Sequence, residues 1–160
     1  MRIHRTTRVM FAAIAVLVFV GDQLTKSVVE QSIPLHTVFP VIPHFFNLTD
    51  TRNPGAAFGL FSDSVSPWRT AVLIAISVLL LAVVIGVIWR SRAMRWEAGV
   101  ALALIIGGAA SNLTDRIRHG RVTDFLDFHF YSFHWFTFNL ADSAIVVGAF
   151  LLVIHLLASE

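Results

Sequence analysis

The chain has 160 residues, of which 56% are hydrophobic and only 14% are charged, and its mean hydropathy is +0.75. A soluble domain of this length usually carries about a quarter charged residues, so the composition predicts a single membrane-embedded domain, residues 1–160. The absence of cysteine excludes disulfides, thiol nucleophiles and thiolate metal sites, and the net charge of +2 comes without a basic run suited to nucleic acid.

Four segments are apolar enough to cross a membrane, which takes about 20 residues. The predicted helices span about 9–30, 68–89, 96–115 and 138–157. The first and third end in polar stretches, "DQLTKSVVE" and "SNLTDR", which must lie in or near the membrane. The predicted fold class is an all-α integral membrane protein with four transmembrane helices.

Basic residues set the expected orientation of these helices. Half of the 12 Lys and Arg precede the first helix or fill the link between the second and third: Arg2, Arg5, Arg8, Arg90, Arg92 and Arg95. The positive-inside rule places this side in the cytoplasm, so both termini are expected there, with segments of about 31–67 and 116–137 outside. We interpret the first helix as a retained anchor, because "VFVGDQLTK" offers no small-x-small signal-peptidase cleavage site.

Polar residues of three predicted helices fall at one depth, near the outer ends. Such residues usually face the interior of the bundle and mark a functional site, although structural hydrogen bonding between helices is the alternative. Asp22 and Lys26 have the i,i+4 spacing of a helical ion pair, which we interpret as structural or orienting. The residues at this depth are Asp22, Asn112, Asp115, Arg116, Asn139 and Asp142.

The outer segments predict a small β-element. The first contains "NPG", a turn signal flanked by strand-forming residues, and the second has eight aromatic residues between Phe125 and Phe138. The aromatic stretch is either an interfacial belt or a platform that guides a lipid-linked substrate. Asp124 lies one residue before this stretch and 18 residues before Asp142. A hairpin of that length could bring the two carboxylates together.

Elimination among catalytic motifs leaves the aspartates. The sequence has no G-x-S-x-G and no H-E-x-x-H, and its seven histidines show no arrangement that predicts a base or a metal site. Two close carboxylates can share one proton. The ionised one takes a proton from water, and the protonated one polarises a carbonyl and protonates the leaving amine. We therefore expect peptide hydrolysis without metal or cofactor.

The motifs of the chain resemble those of the bacterial lipoprotein signal peptidases, or signal peptidase II, over nearly its full length. One departure is Ser111, which stands where the family usually has glycine before the asparagine. The motifs occur in the order of the family: "DQLTK" at 22–26, "NPGAAFG" at 53–59, "GGAASNLTDR" at 107–116, "VTDF" at 122–125 and "FNLADSAI" at 138–145.

The resemblance implies an aspartic endopeptidase of the bacterial cytoplasmic (inner) membrane, with a four-helix bundle and a small extracytoplasmic β-element. It implies Asp124 and Asp142 as the catalytic pair, with Asp127 outside the motif. The implied substrate is a prolipoprotein, cut on the N-terminal side of a diacylglyceryl-modified Cys, and we expect the enzyme to act as a monomer among membrane lipids. Positions implied to support or line the site are Asp22, Asn53, Gly55, Asn112, Asp115, Arg116, Asn139 and Ala141.

Two other functions remain open on the residues alone. A proton-coupled transporter or channel subunit would need polar residues through the whole membrane depth, whereas the centres of the second, third and fourth helices are apolar. A purely structural membrane partner predicts that replacing the aspartates alters assembly and no turnover. The sequence also leaves open which aspartate is the base.

Overall fold

The computed structural model describes residues 5–55, 67–90, 95–131 and 133–158. Its described part contains four helices, each long and apolar enough to cross a membrane. This confirms the predicted fold class. The helices are α1 (Arg5–Ser32), α2 (Pro67–Arg90), α3 (Trp96–His119) and α4 (Leu140–Leu157).

Helix α3 continues past the predicted end at residue 115. Gly120 ends it in the left-handed conformation, with φ at 68°, and donates its backbone N–H to the carbonyl of Arg116. Glycine adopts this conformation without a steric penalty, which makes it the usual residue just past a helix end. Asp115 and Arg116 therefore lie within the helix, near its C-terminal end.

The predicted β-element is also present. Strands β1 (Val38–Ile42), β2 (Phe46–Asn53) and β3 (Val122–Phe130) form an antiparallel sheet in that order, and the two-residue β4 (Phe133–His134) pairs with the end of β3. In the β2–β3 register Thr51 pairs with Asp124.

The aromatic segment after β3 turns back toward α4, as the sequence predicts. Phe138 lies beside Leu126, and its carbonyl accepts the backbone N–H groups of Phe125 and Leu126 at 3.0 and 2.8 Å. The next residue, Asn139, is the N-cap of α4. The segment thus joins the middle of β3 directly to the head of α4.

Helix α3 is central, since it contacts each of the other three helices. The "GGAAS" segment gives the close packing expected of small residues. A Cβ atom on Gly107 would lie 2.5 Å from the carbonyl oxygen of Ala15 in α1, and one on Gly108 would lie 2.4 Å from that of Ala141 in α4. No side chain larger than hydrogen fits at either position unless the helices separate.

The interior contains a group of buried polar side chains, whereas the surface of the helices is apolar. Large apolar side chains such as Leu17, Leu79 and Phe150 are 60–70% exposed, as a lipid-facing surface requires. Among the side chains of α1 and α3 whose burial the structure describes, the buried polar ones lie within residues 22–26 and 111–115. The largest fully buried side chains are Asn139, Asp22, Asp50, Asp124 and Ser111.

Candidate active site

A cleft of about 520 Å³ opens between the segment that follows β4 and the first turns of α4. Asp124 and Asp142 both line it, so the structure brings the two predicted aspartates to one cavity. Most of the other lining side chains are apolar or aromatic. They are Trp135, Phe136, Phe138, Ile145, Val146 and Val147, with Asn53, Thr137 and Ser143.

Asp124 is carried by β3 and is only 1% exposed. Its Oδ1 accepts a hydrogen bond from Nδ2 of Asn139 at 2.7 Å, and its Oδ2 accepts one from Nδ2 of Asn53 at 2.9 Å. Burial and, next, the neighbouring Asp142 carboxylate together raise the pKa of Asp124 to about 7, with the opposing effect of the two amide donors included. Near neutral pH this carboxyl group therefore holds a proton for part of the time.

Asp142 occupies the first turn of α4, where it forms a capping box with Asn139. Asn139 Oδ1 accepts the backbone N–H of Asp142 at 2.8 Å, and Asp142 Oδ2 accepts that of Asn139 at 3.3 Å. Asp142 Oδ1 accepts a further hydrogen bond from Nδ2 of Asn112 at 2.8 Å. A carboxylate here satisfies free N–H groups of the helix terminus, which is a favourable place for negative charge.

Asn139 connects the two aspartates. Its side-chain oxygen faces the Asp142 backbone, and its side-chain nitrogen faces the Asp124 carboxylate. Because the residue is completely buried, neither contact competes with bulk water. One amide thereby fixes the position of β3 relative to the head of α4.

Beside the aspartates lies a buried ionic cluster. Lys26 Nζ lies 2.6 Å from Asp22 Oδ2, as the spacing predicts, and also 2.6 Å from Asp115 Oδ2. Asp22 Oδ1 accepts the backbone N–H of Ala141 at 2.9 Å, so α1 also holds the first turn of α4. Ser111 contributes more than the small size expected of it, because its hydroxyl donates to Asp22 at 2.7 Å.

Arg116 contacts the segment at the end of β2. The resemblance implies that it supports or lines the site, and its Nη2 donates to the carbonyl of Gly55 at 3.0 Å. Gly55 in turn donates its N–H to Asn53 Oδ1 at 2.8 Å. Arg116 therefore supports the end of β2, next to the Asn53 amide that reaches Asp124. Residues 56–59 of the "NPGAAFG" motif lie outside the described residues.

Hydrogen bonds and ion pairs connect all of the predicted site residues, with Lys26 as one of the links. Asp127, which the sequence places outside the motif, is elsewhere: its carboxylate accepts from Asn47 at 2.7 Å, within the sheet. The connected set comprises Asp22, Asn53, Gly55, Asn112, Asp115, Arg116, Asp124, Asn139, Ala141 and Asp142.

A second polar cluster was missed by the sequence analysis. Arg52 donates to Asp50 Oδ2 at 2.8 Å and to the hydroxyl of Thr123 at 2.9 Å, and Thr123 donates to Glu30 at 2.6 Å. The cluster ties β2 and α1 to the residue that precedes Asp124. Asp50 and Arg52 have the i,i+2 spacing that places two side chains on one face of a strand, but Glu30 and Thr123 come from distant segments, and the pairing of Arg52 with Thr123 between β2 and β3 brings Thr123 to them.

Known proteins match the chain over most of its length. The family described as signal peptidase (SPase) II matches residues 14–158. The lipoprotein signal peptidase of Solibacter usitatus is 42% identical over 144 residues, covering 90% of this chain and 88% of that one. That of Geobacter sulfurreducens is 40% identical over 151 residues, covering 94% and 93%.

A solved structure shares the fold. A bacterial membrane enzyme determined by the in meso method at 2.3 Å resolution superposes with a TM-score of 0.84 at 31% identity, over 98% of this chain and 91% of that one. The family match covers nearly the whole chain and agrees with the bundle, the sheet and the order of the motifs. The chain belongs to the signal peptidase II family.

Proposed function

We propose that this protein is an intramembrane aspartic endopeptidase that removes the signal peptide from diacylglyceryl-modified prolipoproteins, on the N-terminal side of the lipidated Cys. One observation carries the chemistry: Asp124 and Asp142 line one largely apolar cleft and are joined by Asn139. The substrate class is supported by the relatives, which are lipoprotein signal peptidases. Neither the family nor the buried polar groups, which lie at one end of the bundle, support a transporter.

The reaction needs only water and the two carboxyl groups. The ionised carboxylate removes a proton from water as the oxygen attacks the scissile carbonyl, and the protonated carboxyl donates to the carbonyl oxygen. On collapse of the tetrahedral intermediate the C–N bond breaks: the carboxyl that took a proton from water gives it to the leaving amine, and the other carboxylate takes back a hydroxyl proton as the carbonyl re-forms. Because the products are a carboxylic acid and an amine, the pair returns to one shared proton after product release.

The cleft suits a substrate that remains in the membrane. Trp135, Phe136 and Val146 offer an apolar wall next to the aspartates, where an acyl chain can replace lipid contacts. Within the described part of the chain, Nε of Arg116 is buried without a hydrogen-bond partner. We propose that this Nε–H donates a hydrogen bond to a carbonyl of the bound peptide. The positive charge of Arg116 and its electrostatic interaction with both aspartates support this role.

The placement in the membrane follows from the charge pattern. Basic residues cluster at the N-terminus and between the second and third helices, so we propose that both termini are cytoplasmic and that the site lies near the outer face. Both aspartates and the groups that hold them lie in one chain, and we propose that the enzyme acts as a monomer surrounded by lipid.

Purified protein, incubated with a diacylglyceryl-modified prolipoprotein, is expected to release a mature protein whose N-terminus is the lipidated Cys. Mass spectrometry of both products maps the cut. The matched control is the same prolipoprotein without the diacylglyceryl group, which is expected to remain intact. Cleavage at another bond, or equal cleavage of both substrates, would show that the proposed specificity is wrong.

The rate of cleavage is expected to fall above about pH 7. The pKa of Asp124 is raised to about 7, so its proton is lost as the pH rises through that value and both carboxylates become charged. With the acid lost, kcat/KM should fall about tenfold per pH unit on the alkaline side. Measuring kcat/KM from pH 5 to pH 9 checks this, with the folded state followed at each pH; a rate still rising at pH 9 would contradict it.

A further inference from the structure

Lys26 is buried at the level of the two aspartates, and its side chain is only 4% exposed. Its ammonium group has three donors and no acceptor. Two of its contacts are the carboxylates of Asp22 and Asp115. The third is Oδ1 of Asn112, at 2.9 Å. The ion pairs account for the stability of a buried cation, whereas the contact with Asn112 leads toward Asp142.

The contact with Lys26 fixes which way the Asn112 amide points. An ammonium group can only donate, so it selects the carbonyl end of the amide. Nδ2 of Asn139 also donates to this oxygen, at 3.3 Å. The Asn112 nitrogen then faces Asp142 Oδ1 at 2.8 Å. If the amide were reversed, its oxygen would face a carboxylate oxygen, an arrangement that only a protonated Asp142 tolerates.

We propose that Lys26 is a positioning residue that, through Asn112, keeps Asp142 as the ionised member of the pair. Asp142 is then the group that takes the proton from water, and Asp124 is the group that donates to the scissile carbonyl. The inference rests on the proposed function, because it divides the roles within the same site. Lys26 itself touches neither substrate nor reacting atoms.

The charges around Asp142 are mixed, two cations and three carboxylates, so its hydrogen bonds and its helix terminus carry this division. Helix α1 contributes Lys26 and Asp22, and α3 contributes Arg116 and Asp115. β3 contributes Asp124, and the α2 residues lining the small cavity beside Asp142 are Ser77 and aliphatic side chains. Asp142 also lies at a helix N-terminus, which favours an anion. Asp124, on a strand, lacks this terminus and the amide oriented by an ammonium.

The test removes the cation and keeps the charge of the cluster. In the variant Lys26→Met with Asp115→Asn, one cation and one carboxylate are lost together. The acid-side midpoint of the pH profile of kcat/KM is expected to move upward by about one pH unit, because the Asp142 carboxylate loses a charge-assisted hydrogen bond. The alkaline midpoint, which reports Asp124, should move less. A drop in rate that is equal at every pH, with both midpoints unchanged, would overturn the proposal.

The matched control is Gln23→Met. Gln23 donates to Ser111 Oγ at 2.9 Å and to Asp115 Oδ1 at 2.7 Å, within the same cluster. We expect both midpoints to stay in place in this variant; the same upward shift there would overturn the assignment to Lys26. If the double variant does not fold, Lys26→Gln serves as the test. Its neutral amide can present either its oxygen or its nitrogen to Asn112, so it no longer fixes the orientation of that side chain. It should show a smaller shift in the same direction, and unchanged midpoints would refute the proposal.

Both hypotheses can fail separately. If the wild-type protein does not cleave the diacylated prolipoprotein, the proposed function is wrong. If the wild-type protein cleaves with two pH midpoints and the acid-side midpoint is unchanged in the Lys26 variants, the proposed function stands and the division of roles is wrong.

Discussion

Replacing either Asp124 or Asp142 by asparagine is expected to abolish cleavage, lowering kcat by at least about a thousand-fold. Asparagine has the size and shape of aspartate but cannot accept a proton from water or donate an acidic one. The amide can still form hydrogen bonds with Asn139 or Asn112, so the bundle should remain assembled. The measurement is single-turnover cleavage of the diacylated prolipoprotein, with insertion checked by membrane extraction.

The matched control for these variants is Asp127→Asn. Asp127 is also a buried aspartate of β3, 5% exposed, and is three residues from Asp124, but it contacts Asn47 within the sheet instead of the cleft. Its loss is expected to change the rate by no more than a few-fold. If Asp124→Asn or Asp142→Asn retained a tenth of the wild-type activity, that residue would not belong to the catalytic pair.

A carboxylate near the head of a membrane helix is costly, and the structure shows how the cost is offset. Asp142 accepts two hydrogen bonds, one from the Asn139 backbone and one from Asn112. It lies at the level of Lys26, whose charge is balanced by Asp22 and Asp115. The polar groups thereby satisfy one another, and the apolar side chains outside them face lipid. A site of this kind can be buried without destabilising the bundle because few of its polar atoms lack a partner.

Hydropathy and motif spacing predicted the fold, and the shared level of the polar residues along the bundle, because both depend on local sequence. Each helix is apolar over its own length, and counting along each segment brings Asp22, Asn112 and Asp142 to one end of the bundle. The ion pair of Asp22 with Lys26 was predictable for the same reason, since both residues lie on one helix.

The contacts between elements were not predictable. The rotation of α3 decides that Asn112 reaches Asp142, Asp115 reaches Lys26 and Arg116 reaches Gly55. Three residues that share a helix face therefore have partners on three different segments. The capping box had a signal, since Asn139 and Asp142 have the spacing of an N-cap and its third helical residue, but this spacing was interpreted only as placing both residues at one depth.

The close contact between α3 and α4 gives a prediction that joins the fold to the chemistry. In Gly108→Val a Cβ atom would lie 2.4 Å from the carbonyl oxygen of Ala141 and 2.9 Å from a side-chain carbon of Ile145. Helix α4 must move away, and Asp142, the residue after Ala141, moves with it. A displacement of about 1 Å in a catalytic group costs on the order of a hundred-fold in rate, so kcat should fall by at least that factor.

The control isolates packing from the general effect of valine on a membrane helix. Gly86 lies in α2, and a Cβ atom there would have no atom within 4 Å. Gly86→Val is therefore expected to keep both the rate and the thermal stability, whereas Gly108→Val should also lose about 1–3 kcal/mol of stability through overpacking. Thermal unfolding in detergent and cleavage assays of both variants make the comparison. Equal activity in the two would mean that the head of α4 can shift without disturbing the aspartates, and that the position of Asp142 depends on its hydrogen bonds more than on helix packing.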